Sequence, residues 1–180
     1  MIDPLIVTIR QLTAADEPFL WEMLYQALYV PEGAEPLPRD IVKRPEISRY
    51  VQNWGNNDDM GFIAIDEIEQ RAMGAVWIRL LTGENKGYGY VNDRTPELSI
   101  AVLPEYRTRG VGTRLLVHLL KNIQTRYQAI SLSVSPNNPA LRLYQRLGFE
   151  KVEAIGNSLT MIKWLSAQDH FQAQGWKRRG

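Results

Sequence analysis

Hydrophobic and polar residues follow two different periods along this chain, and segments with the two periods alternate. β-branched residues are concentrated in residues 5–10, which predicts a first strand. Apolar residues then recur every three or four positions from Phe19 to Leu28, which predicts an amphipathic helix, and Thr13 is a suitable cap before it. Residues 40–54 follow a weaker helical pattern with Pro45 near the start, and we expect a second helix there.

The middle of the chain returns to runs that are typical of strands. Residues 61–66 and 72–81 are apolar and separated by a polar turn, which predicts a hairpin. A glycine-rich loop over residues 83–89, an extended edge at 90–94 and a strand at 97–102 are expected next.

The last third alternates helix and strand. Residues 111–127 predict a long amphipathic helix, and residues 129–134 alternate as a strand does. A short helix over 140–147 with Gly148 as its end signal precedes a final hairpin, 149–155 and 158–165. This order predicts an α/β fold with a mixed sheet, in one domain over residues 1–165 with a polar tail over 166–180.

Composition narrows the class of protein. With 180 residues, of which 44% are hydrophobic and 23% charged, the chain suits one globular domain with a single core. Lys and Arg total 21 against 20 Asp and Glu, so the net charge of +1 provides no bulk attraction for nucleic acid or an anionic membrane. We therefore expect neither as a partner, and an anion site must be local.

Missing residue types exclude some chemistry. The chain has no cysteine, which rules out disulfides, thiolate catalysis and cysteine-ligated zinc. Its two histidines, His118 and His170, lack ligand spacing, and we expect no metal site. The first residues do not resemble a signal peptide, and no apolar run is long enough for a membrane span, so we expect a cytoplasmic protein.

One short segment carries candidate chemistry. Arg107-Thr-Arg-Gly-Val-Gly112 lies between the strand at 97–102 and the helix that begins near 111. Glycine lets the backbone approach an anion closely, and the first turn of a helix offers unpaired N–H donors with a partial positive charge. A strand, a glycine loop and a helix in this order predict a phosphate site.

Two motifs together carry a family resemblance. Arg107-x-x-Gly110-x-Gly112 after Leu98-Ser-Ile-Ala-Val102 resembles the acetyl-CoA signature of the GCN5-related N-acetyltransferases (GNAT). The segment from Asn138 to Phe149, with Leu-Tyr and Gly-Phe, is similar to the later motif of that family. The resemblance covers roughly residues 5 to 165. It implies a mostly antiparallel twisted sheet of about seven strands with about four helices and splayed central strands.

The resemblance also implies a cosubstrate and its contacts. Acetyl-CoA would place its pyrophosphate on the amides of residues 108–113 and thread its pantetheine along the strand at 97–102. The implied contacts are Ile100, Ala101, Val102, Arg107, Thr108, Arg109, Gly110, Val111, Gly112, Thr113, Asn137, Asn138 and Tyr144. The spacing of the second motif is shifted by one residue, so Asn137 and Asn138 both remain candidates.

Two catalytic roles follow from the same resemblance. An amine would attack the thioester directly, with Glu97 as the base, often through a water in the family, and Tyr144 as the acid for the leaving thiolate. A phenol with its ordinary pKa of about 10 can donate a proton at neutral pH. The implied activity is acetyl transfer to a primary amine of a small molecule or a peptide.

Several alternatives stay open at this point. The chain could bind acyl-CoA without catalysis, transfer another acyl group, or use another acceptor, and a homodimer is left open. Aromatic residues at Trp21, Tyr25, Tyr29, Trp54 and Trp77 could form an amine-binding wall or belong to the core. Acidic candidates for attracting a cation are Glu32, Glu35, Asp58 and Asp59.

Overall fold

A computed structural model describes residues 5–166 as seven strands and four α-helices joined by turns and short 3-10 helices. The first half has strands β1 to β4 and helices α1 and α2, and the second half has α3, β5, α4 and the β6–β7 hairpin. The bounds in chain order are β1 Val7–Gln11, α1 Glu17–Ala27, α2 Pro45–Ser48, β2 Met60–Asp66, β3 Arg71–Arg79, β4 Glu97–Val102, α3 Val111–Ile123, β5 Ala129–Val134, α4 Ala140–Arg146, β6 Glu150–Ile155 and β7 Ser158–Trp164.

The strands form one seven-stranded sheet in the order β1-β2-β3-β4-β5-β7-β6. Antiparallel pairs join β1 to β2, β2 to β3, β5 to β7 and β6 to β7, whereas β4 and β5 are parallel where Glu97 lies opposite Ser131. The predicted fold class, a mixed and mostly antiparallel sheet with four helices, is confirmed. The separation of β4 from β5 beyond Glu97 stays a prediction.

The chain divides into two compact units. The first runs to Arg79 and includes Leu98–Leu119, and the second comprises Leu80–Glu97 and the chain from Leu120 onward. The first unit has a core of apolar side chains from α1, β2, β3 and the turn after α2, among them Leu20, Met23, Val51, Ile63 and Trp77. The second buries Ile130, Leu132, Phe149, Met161 and Ile162. The predicted domain boundary at 165 stays a prediction, and residues 167–180 lie outside the described part.

The predicted second helix over 40–54 is wrong. The structure has a 3-10 helix at Arg39–Lys43 and one helical turn, α2, at Pro45–Ser48. Arg44 is extended (ψ 134°), as expected before a proline, whose ring clashes with a preceding helical residue. Asn53 then adopts a positive φ of 58°, so the backbone turns before Trp54.

Two smaller predictions also differ from the structure. Residues 90–94 form no strand, and residues 93 and 94 lie in a turn where the Asn92 side chain accepts hydrogen bonds from the Arg94 N–H and the Thr95 hydroxyl. Helix α3 ends at Ile123 rather than near 127. Among residues 5–166, no helix has the length and apolar character needed to cross a membrane.

Candidate functional site

The glycine loop adopts the left-handed backbone that its sequence suggests. Gly110 has φ 80°, and Thr108 has φ 59°, which is uncommon for a residue with a Cβ. Helix α3 starts directly afterwards, with the Arg114 N–H bonded to the Gly110 carbonyl at 3.1 Å. The preceding amides belong to the first turn, whose N–H groups have no acceptor within the helix. Thr108, Arg109 and Thr113 are exposed beside them.

The two glycines of the loop serve different purposes. A methyl group at Gly110 would meet nothing within 4 Å, so this glycine is required for its positive φ and not for space. At Gly112, where no positive φ is found, a methyl group would lie 3.7 Å from Val102 Cγ2 and 3.9 Å from Ile100 Cδ1. Gly112 therefore keeps the helix start open beside the side chains of β4.

Some of the backbone N–H and C=O groups of β4 point away from β3. The Leu103 N–H bonds to the Met73 carbonyl at 2.8 Å, and a methyl group at Gly74 would lie 2.6 Å from the Ala101 carbonyl oxygen. Because the backbone groups of successive strand residues point to opposite edges, those of Ile100 and Val102 point away from β3. These are the two residues expected to bond pantetheine, whereas Ala101 faces β3.

Arg107 makes two contacts within the protein. Its Nε donates to the Val102 carbonyl at 2.9 Å, and its Nη2 donates to Gln26 Oε1 at 2.9 Å. The side chain therefore ties the loop to the end of β4 and to helix α1. The sequence predicted a coenzyme contact at Arg107 and carried no signal for Gln26.

Glu97 is buried, with 3% of its surface exposed. Its Oε1 accepts a hydrogen bond from the Gly89 N–H at 2.7 Å. Opposite it on β5, Ser131 is fully buried, and among residues 5–166 its Oγ has no hydrogen-bond partner. The carboxylate is thus held in a fixed place beside a second buried polar group.

Gly89 lies too close to its neighbours for any side chain. A methyl group there would lie 2.6 Å from the Leu132 carbonyl carbon and 2.9 Å from Glu97 Oε1. The loop after β3 therefore reaches both the β5 backbone and the carboxylate. Sequence reasoning identified a glycine-rich loop here but did not connect it with Glu97.

Tyr144 is buried near the end of α4, and its ring meets Phe149 edge to face at 5.7 Å between centroids. Burial raises the pKa of Tyr144 to about 12, because the phenolate is poorly solvated there. Its hydroxyl is therefore protonated throughout the neutral range, as a proton donor requires.

The two candidate asparagines have different environments. Asn138 Oδ1 accepts a hydrogen bond from the Ala140 N–H at 2.9 Å at the start of α4, so its side chain supports the turn before the helix. The side chain of Asn137 is exposed.

Most of the candidates for an acceptor wall have structural partners. Trp54 and Trp77 belong to the core, and the Asp59 carboxylate forms a buried ion pair with Arg79 at 2.9 Å. The Tyr25 hydroxyl bonds to the Leu37 carbonyl at 2.7 Å, and Trp21 Nε1 bonds to Glu17 at 3.2 Å. Exposed acidic candidates remain at Glu32, Glu35 and Asp58. Among the described residues, no group of three His, Cys, Asp or Glu side chains could hold a metal ion.

Several curated proteins share sequence with the chain. An N-alpha-acetyltransferase of Saccharolobus solfataricus is 44% identical over 61 residues, which are 32% of this chain and 36% of that protein. The ribosomal protein bS18 alanine N-acetyltransferase of Escherichia coli is 31% identical over 105 residues, 47% of this chain and 71% of that protein. The chain thus covers 36% of the length of the archaeal relative and 71% of the length of the bacterial relative.

Solved structures share the fold. The PaiA N-acetyltransferase of Thermoplasma acidophilum, in complex with coenzyme A, has a TM-score of 0.62 at 18% identity and covers 88% of this chain and 99% of its own. The family model for the acetyltransferase (GNAT) family matches residues 19–149. Because that match includes β2 to α4 and both motifs, the chain belongs to the GNAT acetyltransferase family.

Proposed function

We propose that the protein transfers an acetyl group from acetyl-CoA to a primary amine by direct attack. The observation that carries this proposal is the Gly110 loop at the start of α3, next to the edge of β4 that is directed away from β3. Free N–H groups of a helix start suit a pyrophosphate, and the outward groups of Ile100 and Val102 suit the amides of pantetheine. Asn137, which is exposed, is the better of the two asparagines for contact with the coenzyme.

Glu97 acts as the base in this proposal. An ammonium must lose a proton before its nitrogen can attack the thioester carbon, and a carboxylate held by the Gly89 N–H can accept it through a water. The buried Ser131 hydroxyl opposite Glu97 offers a partner for such a water.

Tyr144 acts as the acid. When the carbon–nitrogen bond forms and the carbon–sulfur bond breaks, the leaving thiolate takes the phenolic proton, and the proton that the attacking nitrogen sheds as it becomes an amide restores the phenol through water. The hydroxyl is protonated at neutral pH, so it has a proton to donate, although its raised pKa makes it a weaker acid than an ordinary phenol.

The acceptor we propose is the α-amine of a polypeptide. Support comes from the relatives, since several that share sequence with this chain are named for α-amine and ribosomal-protein alanine acetylation. A small-molecule amine is the second candidate, because solved structures of similar fold include a spermidine/spermine N-acetyltransferase at 22% identity. Cytoplasmic location, a homodimer, and the lack of nucleic-acid and membrane partners remain predictions.

A thiol-release screen with acetyl-CoA tests the proposal, using a set of peptides with free N-termini and a set of polyamines. We expect turnover on peptides, and we expect Tyr144→Phe to lower kcat by about a hundredfold, the usual scale of general acid catalysis. Tyr127→Phe, at a partly exposed tyrosine after α3, is the matched control. Tight acetyl-CoA binding without turnover on any amine would favour a binding module without catalysis. Unchanged turnover in Tyr144→Phe would remove Tyr144 from the mechanism.

A further inference from the structure

One face of α1 carries a continuous series of polar contacts that the proposed reaction does not use. Arg39 Nη1 lies 2.6 Å from Glu22 Oε2, and Glu22 Oε1 accepts from Gln26 Nε2 at 2.9 Å. Gln26 Oε1 then accepts from Arg107 Nη2 at 2.9 Å, and Arg107 Nε donates to the Val102 carbonyl. This series of contacts, which we call the α1 relay, runs from residue 39 to the end of β4.

The neighbours of Gln26 define which way its amide points. Its oxygen faces a guanidinium, which has only donors, and its nitrogen faces a carboxylate, which has only acceptors. The reverse orientation would place two donors together and two acceptors together. Gln26 is thus the one uncharged side chain of the α1 relay, and both its amide oxygen and its amide nitrogen form hydrogen bonds.

At one end, the α1 relay reaches the edge of β4 that we assign to pantetheine. A carbonyl oxygen has two lone pairs, so the bond from Arg107 leaves Val102 able to accept a second hydrogen bond. Arg107 is also the first residue of the glycine loop, so the position of its side chain affects the backbone path of the loop.

At the other end, the α1 relay holds the segment after α1. The Arg39 guanidinium stacks 4.0 Å from the centre of the Tyr25 ring, and the Tyr25 hydroxyl bonds to the Leu37 carbonyl. Residues 37 and 39 are therefore fixed on the same helix that orients Arg107.

We propose that Gln26 is a positioning residue that couples the segment at residues 37–39 to coenzyme affinity. It does so by holding Arg107 on the Val102 carbonyl. The contacts are on partly or fully exposed side chains, where ion pairs and hydrogen bonds contribute little to global stability, so their effect is on local geometry. The inference rests on the proposed function only in placing the coenzyme at β4 and the 107–113 loop.

Calorimetric titration with coenzyme A alone tests this coupling without any acceptor. Gln26→Met removes both amide bonds at similar size, and we expect coenzyme A to bind about fivefold more weakly, which corresponds to one lost hydrogen bond. The value of kcat at saturating acetyl-CoA should change by less than about twofold, since only coenzyme binding is affected. Gln124→Met, at an exposed position, is the control for the same substitution.

Two further variants separate positioning from a structural effect. Gln26→Glu keeps an acceptor for Arg107 but removes the donor to Glu22 and repels it, so coenzyme binding should weaken by about two- to threefold, less than in Gln26→Met. Arg39→Ala should weaken coenzyme binding by about two- to threefold in the parent and have no further effect in Gln26→Met, because neighbours in one network are not additive.

Two results would overturn the inference while leaving the proposed function intact. One is a coenzyme affinity of Gln26→Met within about twofold of the parent, and the other is additive effects of the Arg39 and Gln26 changes. A parent protein that binds no coenzyme A would overturn the proposed function, and the inference with it.

Discussion

At the scale of single residues, the glycine loop shows what a motif does and does not specify. The spacing of Gly110 and Gly112 predicted a phosphate site, but it did not distinguish the two glycines. The structure does, because Gly110 needs its positive φ whereas Gly112 has an ordinary backbone beside Val102.

Alanine at these two positions should therefore have opposite effects. Gly110→Ala is expected to destabilise the protein by about 1 kcal/mol, since a Cβ disfavours φ 80°. Gly112→Ala is expected to be neutral or slightly stabilising in the free protein, because alanine favours a helix, yet to weaken coenzyme binding. Denaturant unfolding and coenzyme titration measure the two effects. Equal destabilisation by both changes would contradict this explanation.

The raised pKa of Tyr144 predicts a specific loss of stability at high pH. The unfolded phenol ionises near pH 10, while the folded phenol keeps its proton until about pH 12. Between these values the unfolded state binds fewer protons, so stability falls as pH rises, by about 3 kcal/mol in total. Measured at pH 9, 10.5 and 11.5, the unfolding midpoint of the parent should fall relative to that of Tyr144→Phe. A difference that is independent of pH would show that the phenol is not desolvated.

At the scale of elements, the strands and helices with a strong hydrophobic pattern were predicted correctly, whereas local departures from such a pattern were not. The strands and helices with strong periodicity are present, including α1, α3 and the β6–β7 hairpin. The predicted helix at 40–54 does not form because the Pro45 ring disfavours a helical backbone at the preceding residue. This local steric effect outweighs the weak apolar pattern.

Site residues that depend on contacts distant in sequence could not be predicted. Glu97 was chosen by resemblance, but its bond to Gly89 depends on how the loop after β3 folds back. Gln26 had no signal either, since its role follows from Arg107, which lies 81 residues away in the chain.

The close approach of the β3–β4 loop predicts that Gly89 is needed for activity. Gly89→Ala would force the loop away from the β5 backbone and lengthen the bond to Glu97, so we expect kcat to fall by more than about tenfold. Gly83→Ala in the same loop has free space for a methyl group and only its positive φ of 60° to strain. It should cost about 1 kcal/mol of stability and leave kcat unchanged. Equal kcat values for the two variants would disprove the role of Gly89.

At the scale of the whole molecule, the proposed coenzyme should act as a stabilising ligand. At a concentration about a hundredfold above its dissociation constant, a ligand that binds only the folded state adds about 2.7 kcal/mol. For a chain of 180 residues this corresponds to a rise of about 5–10 °C in Tm. Thermal unfolding with coenzyme A, and with ATP as the control nucleotide, tests this. An equal rise with ATP would argue for a general nucleotide site.

The exposed edge strand β6 affects whether molecules of this protein aggregate at high concentration. It is the last strand of the sheet, it carries Glu150, Lys151 and Glu153, and its register with β7 shifts between residues 151 and 153. An open sheet edge can pair with the same edge of another copy, and charge and a local bulge both disfavour that pairing. Replacing Lys151 and Glu153 by valine would turn this edge into a template for intermolecular strands. The charged residues of β6 therefore help to keep the folded protein from aggregating at high concentration, whether or not it is catalysing a reaction.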